Sequence, residues 1–353
     1  MRITADNRQI AATILRQQLT VDLHSHLGLW EAKGLNRGAF ANVIAGYPGD
    51  EKLKQNILDN LSVGLKCSFL GLPVDLPLIQ LGAPGNKARD FRAGEAWREY
   101  QRQMALLREM LQTLPVAVAR RAEDIAPIAE SGRQALFLSV EGGYMVEDDL
   151  GRLAELKQDG HTKFAPAHYL PSAFCDNQTD PPRWGGLSGL GREMVREVGR
   201  LGMILDVAHA SFAATVEMAE LAGCPLVLSH TMMRSSDVDE HLRFISRDHA
   251  RVIADTGGVI GTWVVAPPYA YGTLAEYTES VLRLADWVGT EHVGWATDQI
   301  DAGLPDWFRR STALPDVGAA LLAGGFSPAD LAGFFGGNLL RLHRAVVGDR
   351  VAN

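Results

Sequence analysis

Short runs of apolar, often β-branched residues alternate along this chain with segments in which apolar residues recur every three or four positions. The first pattern fits buried strands and the second fits amphipathic helices packed over them. Strands are predicted at VDLHSH (21–26), LSVGLKCSFL (61–70), ALFLSVE (135–141), KFAPAH (163–168), MILDVA (203–208), LVLSH (226–230), GVIGTW (258–263) and HVGWATD (292–298). Helices are predicted over 91–114, 188–202, 211–223, 246–258 and 274–289, with further helices near 3–18 and 327–347. Ser211 and Ser246 stand where N-caps belong, and Gly202 and Gly223 where C-caps belong. No repeat of fixed period is visible, which argues against a solenoid or propeller.

Eight strands, mostly separated by helices, in 353 residues without a linker predict one (β/α)8 TIM barrel rather than two domains. The competing doubly wound sheet wants a glycine-rich turn after its first strand. Here the first strand runs into SHLGLWEAKG, which lacks that fingerprint.

Composition narrows the function classes. A hydrophobic content of 46% with 22% charged residues excludes a disordered chain. The formal charge is −8 and no Lys/Arg stripe is present, so nucleic acid is not an expected partner. Three cysteines without a CxxC pair suit a reducing compartment. No run of about 18 apolar residues and no signal-type apolar core appear, so the expectation is a cytoplasmic protein with no membrane contact. Segment 91–114 carries a charged face, and as an outer barrel helix it is compatible with a homodimer contact.

The chemistry lies at the C-terminal ends of the predicted strands, which in a barrel converge on the face that carries active sites. The first strand ends in His24-Ser25-His26, the third in Glu141, the fourth in His168 and the sixth in His230; the fifth runs into His209 and the eighth ends in Asp298. If strands alternate regularly, Asp22, His24 and His26 share one face, as do Phe137, Ser139 and Glu141, and Leu226, Leu228 and His230. Imidazole and carboxylate are the ligand set that suits Zn2+, and His24, His26, His209 and His230 with Glu141 suffice for two ions if Glu141 bridges. A single histidine near a strand end is more often a packed residue than a ligand. His161, His241, His249, His292 and His343 are read in that ordinary way. Cys67 reads as a buried thiol, Asp206 as a structural acid, and Asp22 as either a structural acid or an orienter of a ligand.

With these residues in place the chain resembles the membrane (renal) dipeptidases, peptidase family M19 of the amidohydrolase superfamily. The matching stretches are VDLHSH (21–26), LFLSVEGG (136–143), APAHYL (165–170), GLSGLGREMVREVGRLGMILDVAHAS (186–211), PLVLSH (225–230), RFISRDHARVIADTGGVIGTW (243–263), HVGWATD (292–298) and GGNLLRLHR (336–344). The resemblance implies a zinc-dependent dipeptidase that hydrolyses an amide bond through a metal-bound hydroxide. It implies His24, His26, His209 and His230 as ligands of two Zn2+ ions bridged by Glu141. It further implies His168 near the scissile carbonyl, Asp298 as proton carrier, and Arg243 on the substrate carboxylate, with Arg234 as second choice. The partner expected is therefore a small, dipeptide-like molecule.

The chain departs from that family at three places. It carries HxH where the family carries HxD on the first strand, so a neutral ring replaces an anion. That predicts a weaker hold on one metal or a more acidic bound water. Gln299-Ile300-Asp301 follows Asp298, and the loop 171–186 is unlike the family's, and both changes bear on the substrate. A different amidohydrolase reaction on a peptide-derived or non-peptide metabolite remains an alternative, as does an inactive barrel scaffold. Metal uptake and a dipeptide panel separate the three.

Overall fold

The strands form two parallel arcs that meet at two seams. The computed structural model describes residues 3–27, 50–79, 87–233, 243–265, 271–299 and 304–348. In chain order the strands are β1 (Val21–Ser25), β2 (Cys67–Pro73), β3 (Val116–Val118), β4 (Gln134–Glu141), β5 (His161–Ala165), β6 (Ile204–Leu205), β7 (Val227–Met233), β8 (Phe244–Ile245), β9 (Val259–Trp263) and β10 (Val293–Ala296). One arc runs β1-β2-β4-β5-β6, and β3 fills the N-terminal half of the β4 edge that β5 occupies further up. The other arc runs β10-β9-β7-β8. The arcs join where Val207 N donates to Val227 O at 2.7 Å. They join again where Asp298 N donates to His24 O at 2.8 Å and Thr297 N donates to Asp22 Oδ1 at 3.0 Å. β1, β2, β4, β5, β7 and β10 are buried along their whole length, as parallel strands covered on both faces must be.

The helices are α1 (Ala5–Gln17), α2 (Asp50–Val63), α3 (Glu95–Thr113), α4 (Ile125–Glu130), α5 (Gly151–Asp159), α6 (Gly189–Arg200), α7 (Phe212–Ala222), α8 (Arg247–Asp255), α9 (Leu274–Val288), α10 (Leu314–Ala323), α11 (Pro328–Ala332) and α12 (Asn338–Val346). Ser211 and Ser246 cap α7 and α8 by accepting from Ala214 N and His249 N at 3.2 Å. Gly223 and Gly202 take the left-handed conformation just beyond α7 and α6. The predicted second strand is displaced: residues 61–63 finish α2, whose Leu53 and Ile57 are buried one turn apart, and the strand runs on to Pro73. The fourth strand starts two residues early, at His161, and ends at Ala165, so His168 lies in the loop beyond it. No helix of the described residues is long and apolar enough to cross a membrane.

One apolar cluster brings Val21, Leu23, Cys67, Phe69, Phe137, Val227 and Val259 together with Leu339 and Leu342 of α12. His343 stacks on Phe137 with ring centroids 4.3 Å apart. Lys163 sits over the Phe69 ring and is buried against Asp206 at 2.6 Å. Asp206 also accepts from Ala208 N and Ser229 N, so this acid ties three barrel strands together. The interior beneath the strand ends is thus an apolar plug below a satisfied ion pair.

Three of the histidines read as ordinary are buried in this scaffold. His161 meets Tyr100 Oη at 3.2 Å, His249 meets Thr215 Oγ1 at 3.1 Å, and burial pushes His161, His249 and His343 down to about 4. His292 bonds Gly258 O at 2.7 Å, and His241 lies outside the described residues. Each of the three is neutral in the folded chain and takes up a proton on unfolding below about pH 6.5. Stability is therefore full above that pH and declines as pH falls toward 4, by on the order of 1–3 kcal/mol per histidine. Thermal unfolding at pH 7 and pH 5 checks this: His343→Phe is expected to lose less stability over that interval than the parent chain.

Candidate metal centre

Local irregularities in the sheet aim the histidines. Val21 pairs with Cys67 and Asp22 with Ser68, but Ser25 pairs with Leu70, so β1 sets Leu23 and His24 together opposite Phe69. β7 repeats the device: Leu228 pairs with Ile260 and Thr231 with Thr262, leaving Ser229 and His230 opposite Gly261. A bulge of this kind reverses the alternation. The predicted shared faces on β1 and β7 are corrected accordingly. Val21 and Leu23 face the interior cluster below His24, and Asp22 turns to Thr297, bonded by its N and Oγ1. Likewise Val227, not Leu226 or Leu228, lies in the interior beneath His230. β4 is regular against β2, and Phe137, Ser139 and Glu141 share a face as expected.

Glycines make room for the bulges. A Cβ on Gly71 would stand 2.7 Å from His24 Cε1 and 3.0 Å from His26 Cε1, and Gly71 O lies 3.2 Å from His26 Nδ1. That bond turns His26 Nε2 inward. A Cβ on Gly261 would meet Ser229 O at 1.8 Å.

The side chains converge on Glu141. Its Oε2 lies 3.3 Å from both His24 Nε2 and His26 Nε2. Its Oε1 lies 3.3 Å from His209 Nε2, 3.5 Å from His230 Nε2 and 3.7 Å from His168 Nε2. Each oxygen therefore faces a different histidine group. Asp298 spans the two, with Oδ1 at 3.2 Å from His26 and 3.6 Å from His24 and Oδ2 at 4.0 Å from His230. Asp298 is 9% exposed and Glu141 1%, so Asp298 is the more accessible of the two carboxylates.

The donor set fits a divalent cation. Both oxygens of Glu141 and both ring nitrogens of His24 are buried without a hydrogen bond. In a native interior such orphaned atoms call for a partner. Three trios (His24, Glu141 and His230; His24, His26 and Asp298; Glu141, His168 and His209) each bring ligand atoms within 4.8 Å of one another. Burial and the charges of Arg243 and His168 hold His209 well below the usual histidine range; burial and His24 do the same for His230. Neutral rings are the form that ligates. Burial raises the Glu141 carboxyl, but His168, His24 and His209 more than offset it and keep the group ionised. His209 and Asp298 adopt φ of 66° and 47°, left-handed conformations that non-glycine residues hold only where the surroundings enforce them.

Arg243 arrives beside the cluster, buried, with Nη2 donating to His230 O at 3.4 Å and Nη1 bonded to Gln178 Oε1. Its guanidinium stands 6.0 Å above the Trp263 ring. Arg234 lies outside the described residues. Cys67 is buried, and burial pushes its thiol up, away from nucleophilic reactivity. In loop 171–186, Asp176 accepts from the backbone N–H groups of Arg183, Trp184 and Gly186, while Trp184 itself is half exposed.

Two residues beside the cluster escape a sequence reading. Gln178 braces Arg243 and donates its backbone N–H to His209 O at 2.7 Å. Asp75, fully buried just after β2, accepts from His168 Nδ1 at 2.7 Å. The signal for Asp75 was an acid at the end of the second strand, hidden because that strand was ended three residues short. Burial lowers the His168 ring, but the charges of Asp75 and Glu141 outweigh it and leave the ring above its ordinary value.

The family model for membrane dipeptidase (peptidase family M19) matches residues 12–351. The chain belongs to the membrane dipeptidase family. It is 26% identical over 259 residues to a dipeptidase of Claviceps purpurea (strain 20.1), an alignment covering 70% of this chain and 60% of that protein. The chain spans between 51% and 66% of the length of the curated relatives it matches. Among solved structures it is similar to the probable dipeptidase PvdM of Pseudomonas aeruginosa, at TM-score 0.78, 21% identity, and coverage of 98% of this chain and 99% of that one. It is also similar to a metallopeptidase of Rhodobacter sphaeroides solved with a phosphinate mimic of the dipeptide L-Ala-D-Ala, at TM-score 0.73, 19% identity, and coverage of 93% and 99%. These likenesses show that this membrane dipeptidase family member shares its fold with both structures.

If Glu141 shares its two oxygens between cations, Glu141→Gln removes charge from both positions at once. Elemental analysis of purified protein is expected to show at least half of the bound divalent metal lost, whereas full loading overturns the bridging assignment. Gly71→Ala is expected to lower metal content as well, because the added Cβ displaces both imidazoles of β1.

Proposed function

We propose that this chain is a zinc-dependent dipeptidase that hydrolyses the amide bond of a dipeptide, or of a similar small amide bearing a carboxylate. The observation that carries this reading is the division of the Glu141 oxygens between two imidazole groups. His24, His26 and Glu141 would hold one Zn2+, and His209, His230 and Glu141 the other. Bound there, zinc polarises the scissile carbonyl and acidifies water. The dipeptide mimic in the Rhodobacter sphaeroides relative supports a substrate of this size.

The chain's own residues divide the remaining work. Asp298, the more accessible of the two carboxylates, takes a proton from water at a carboxylate oxygen and returns it to the leaving amine. His168 directs Nε2 toward the same space and stabilises the oxygen that gains charge as the carbonyl is attacked. Arg243 presents its guanidinium to the substrate carboxylate, in the planar geometry that suits two parallel hydrogen bonds. Gln178 holds that guanidinium in place through its side-chain oxygen. The Trp263 ring lies under that guanidinium and edge-on to the His230 ring.

Metal-loaded protein incubated with a panel of L,L- and L,D-dipeptides is expected to release free amino acids, and a chelator is expected to stop it. No hydrolysis of any member by fully loaded protein overturns the reading. Asp298→Asn is expected to lower kcat by ~10²–10⁴-fold while metal content stays near the parent value. Full kcat in that variant removes Asp298 from proton transfer. Gln178→Glu places a carboxylate on Arg243, and KM for free dipeptides is expected to rise about tenfold, with little change for the same dipeptides amidated at the C-terminus. Equal effects on both substrate forms take Arg243 off the substrate carboxylate.

A further inference from the structure

We propose that Asp75 is a positioning residue for this hydrolysis: it fixes the His168 ring with Nδ1 protonated, so that Nε2 alone faces the reacting carbonyl. The proposal rests on the reading of His168 given above. Asp75 stands in the turn that follows β2 and precedes a single helical turn at Leu76–Leu78. Its side chain does not cap that turn. It is fully buried, and its Oδ1 reaches across to His168 Nδ1 at 2.7 Å, while Oδ2 lies 3.4 Å from Leu170 N. A carboxylate only accepts, so Nδ1 must donate. That leaves Nε2 pointed at the Glu141 side of the cluster, 3.7 Å from Oε1, and a ring that also carries a proton on Nε2 can donate it to the oxygen that gains charge.

The backbone around His168 is held independently. His168 N donates to Tyr144 Oη at 3.0 Å, and that hydroxyl donates to Leu170 O at 2.6 Å. Gly142 approaches so closely that a Cβ there would meet His168 Cβ at 3.0 Å. The loop thus has fastenings besides the Asp75–Leu170 bond, and the contribution specific to Asp75 is the placement of the ring's Nδ1 proton and its rotation. A buried acid is a costly way to pack a turn that an apolar residue could fill. A hydrogen-bonded acid behind a working histidine is the arrangement that sets which ring nitrogen faces the chemistry.

The test uses the full metal-loaded chain and one dipeptide substrate. Asp75→Ala is expected to lower kcat by about 10- to 100-fold with KM within twofold and metal content unchanged. Asp75→Asn keeps a side-chain oxygen for Nδ1–H and is expected to fall between the two. In a His168→Ala background, Asp75→Ala is expected to cost less than about twofold, because the ring it orients is gone. An equal cost in both backgrounds, or a loss traced to KM or metal content, overturns the proposal. His168→Ala with the parent kcat overturns the reading of His168 itself, whereas a slow His168→Ala beside a fast Asp75→Ala overturns Asp75 alone. Should Asp75→Ala not fold, nitrogen-15 NMR of the His168 ring in the parent chain decides. A ring protonated at Nδ1 supports the proposal, and one protonated at Nε2 alone overturns it.

Discussion

A carboxylate taken out of water must find compensating charge or surrender its own. Glu141 is 1% exposed and keeps its charge because imidazoles surround it, His168 from the loop after β5, His24 from β1 and His209 from beyond β6. That requirement shapes the open end of the barrel. Histidines from distant positions arrive within 4 Å of one carboxyl group, and here the ring of strands brings them there. The seams supply the closure. One is held by Asp22 and His24 O, which grip Thr297 and Asp298; the other by Asp206, which draws β7 against β6. Acids below the site therefore act as fasteners, and the acid within it acts as the hub.

The bulges show how the fold aims its ligands. In a regular strand, a residue facing the interior is followed by one facing away. β1 must bury Leu23 in the apolar plug and also turn its neighbour His24 into the site, which regular alternation forbids. One extra residue opposite Phe69 resolves the conflict. β7 faces the same conflict between Val227 and His230 and resolves it opposite Gly261. Gly261 stands across from the β7 device and Gly71 two residues beyond Phe69 on β2, because the displaced backbone or rings occupy the space a Cβ would need. The positive φ of His209 and Asp298 serves the same end where β6 and β10 have already run out.

This explains which parts of the molecule were legible in the amino-acid order. Strand and helix alternation was readable because each parallel strand is a continuous buried run and each outer helix carries a clear apolar stripe. The positions of His24, Glu141, His209, His230 and Asp298 at strand ends were readable for the same reason. Which way the side chains of β1 and β7 face was not, because a bulge is a tertiary accommodation with no local composition cue beyond a glycine on the neighbouring strand. Asp75 escapes the pattern because only Gly64-Leu65-Lys66 separates α2 from β2, and the apolar residues that close the helix read as the start of the strand. Gln178 carries no charge or motif; only the loop's return to His209 brings it to Arg243.

The first-strand HxH pair takes on a more definite meaning in this setting. On the two-metal reading, four positive charges would sit among Glu141, Asp298 and, one layer out, Asp75. An aspartate at position 26 would have added a fourth carboxylate, whereas His26 leaves a surplus of positive charge. Arg243 enlarges that surplus. Asp298 lies closer to His26 than to any other ring of the cluster, so the anion missing from β1 is partly replaced from β10. On the proposed mechanism a carboxylate there would serve both as a counter-charge and as the proton carrier. The remaining positive field favours a carboxylate-bearing substrate. On the proposed reading, an imidazole at position 26 in place of a carboxylate would weaken the metal's anionic surroundings and strengthen the attraction for an anionic substrate.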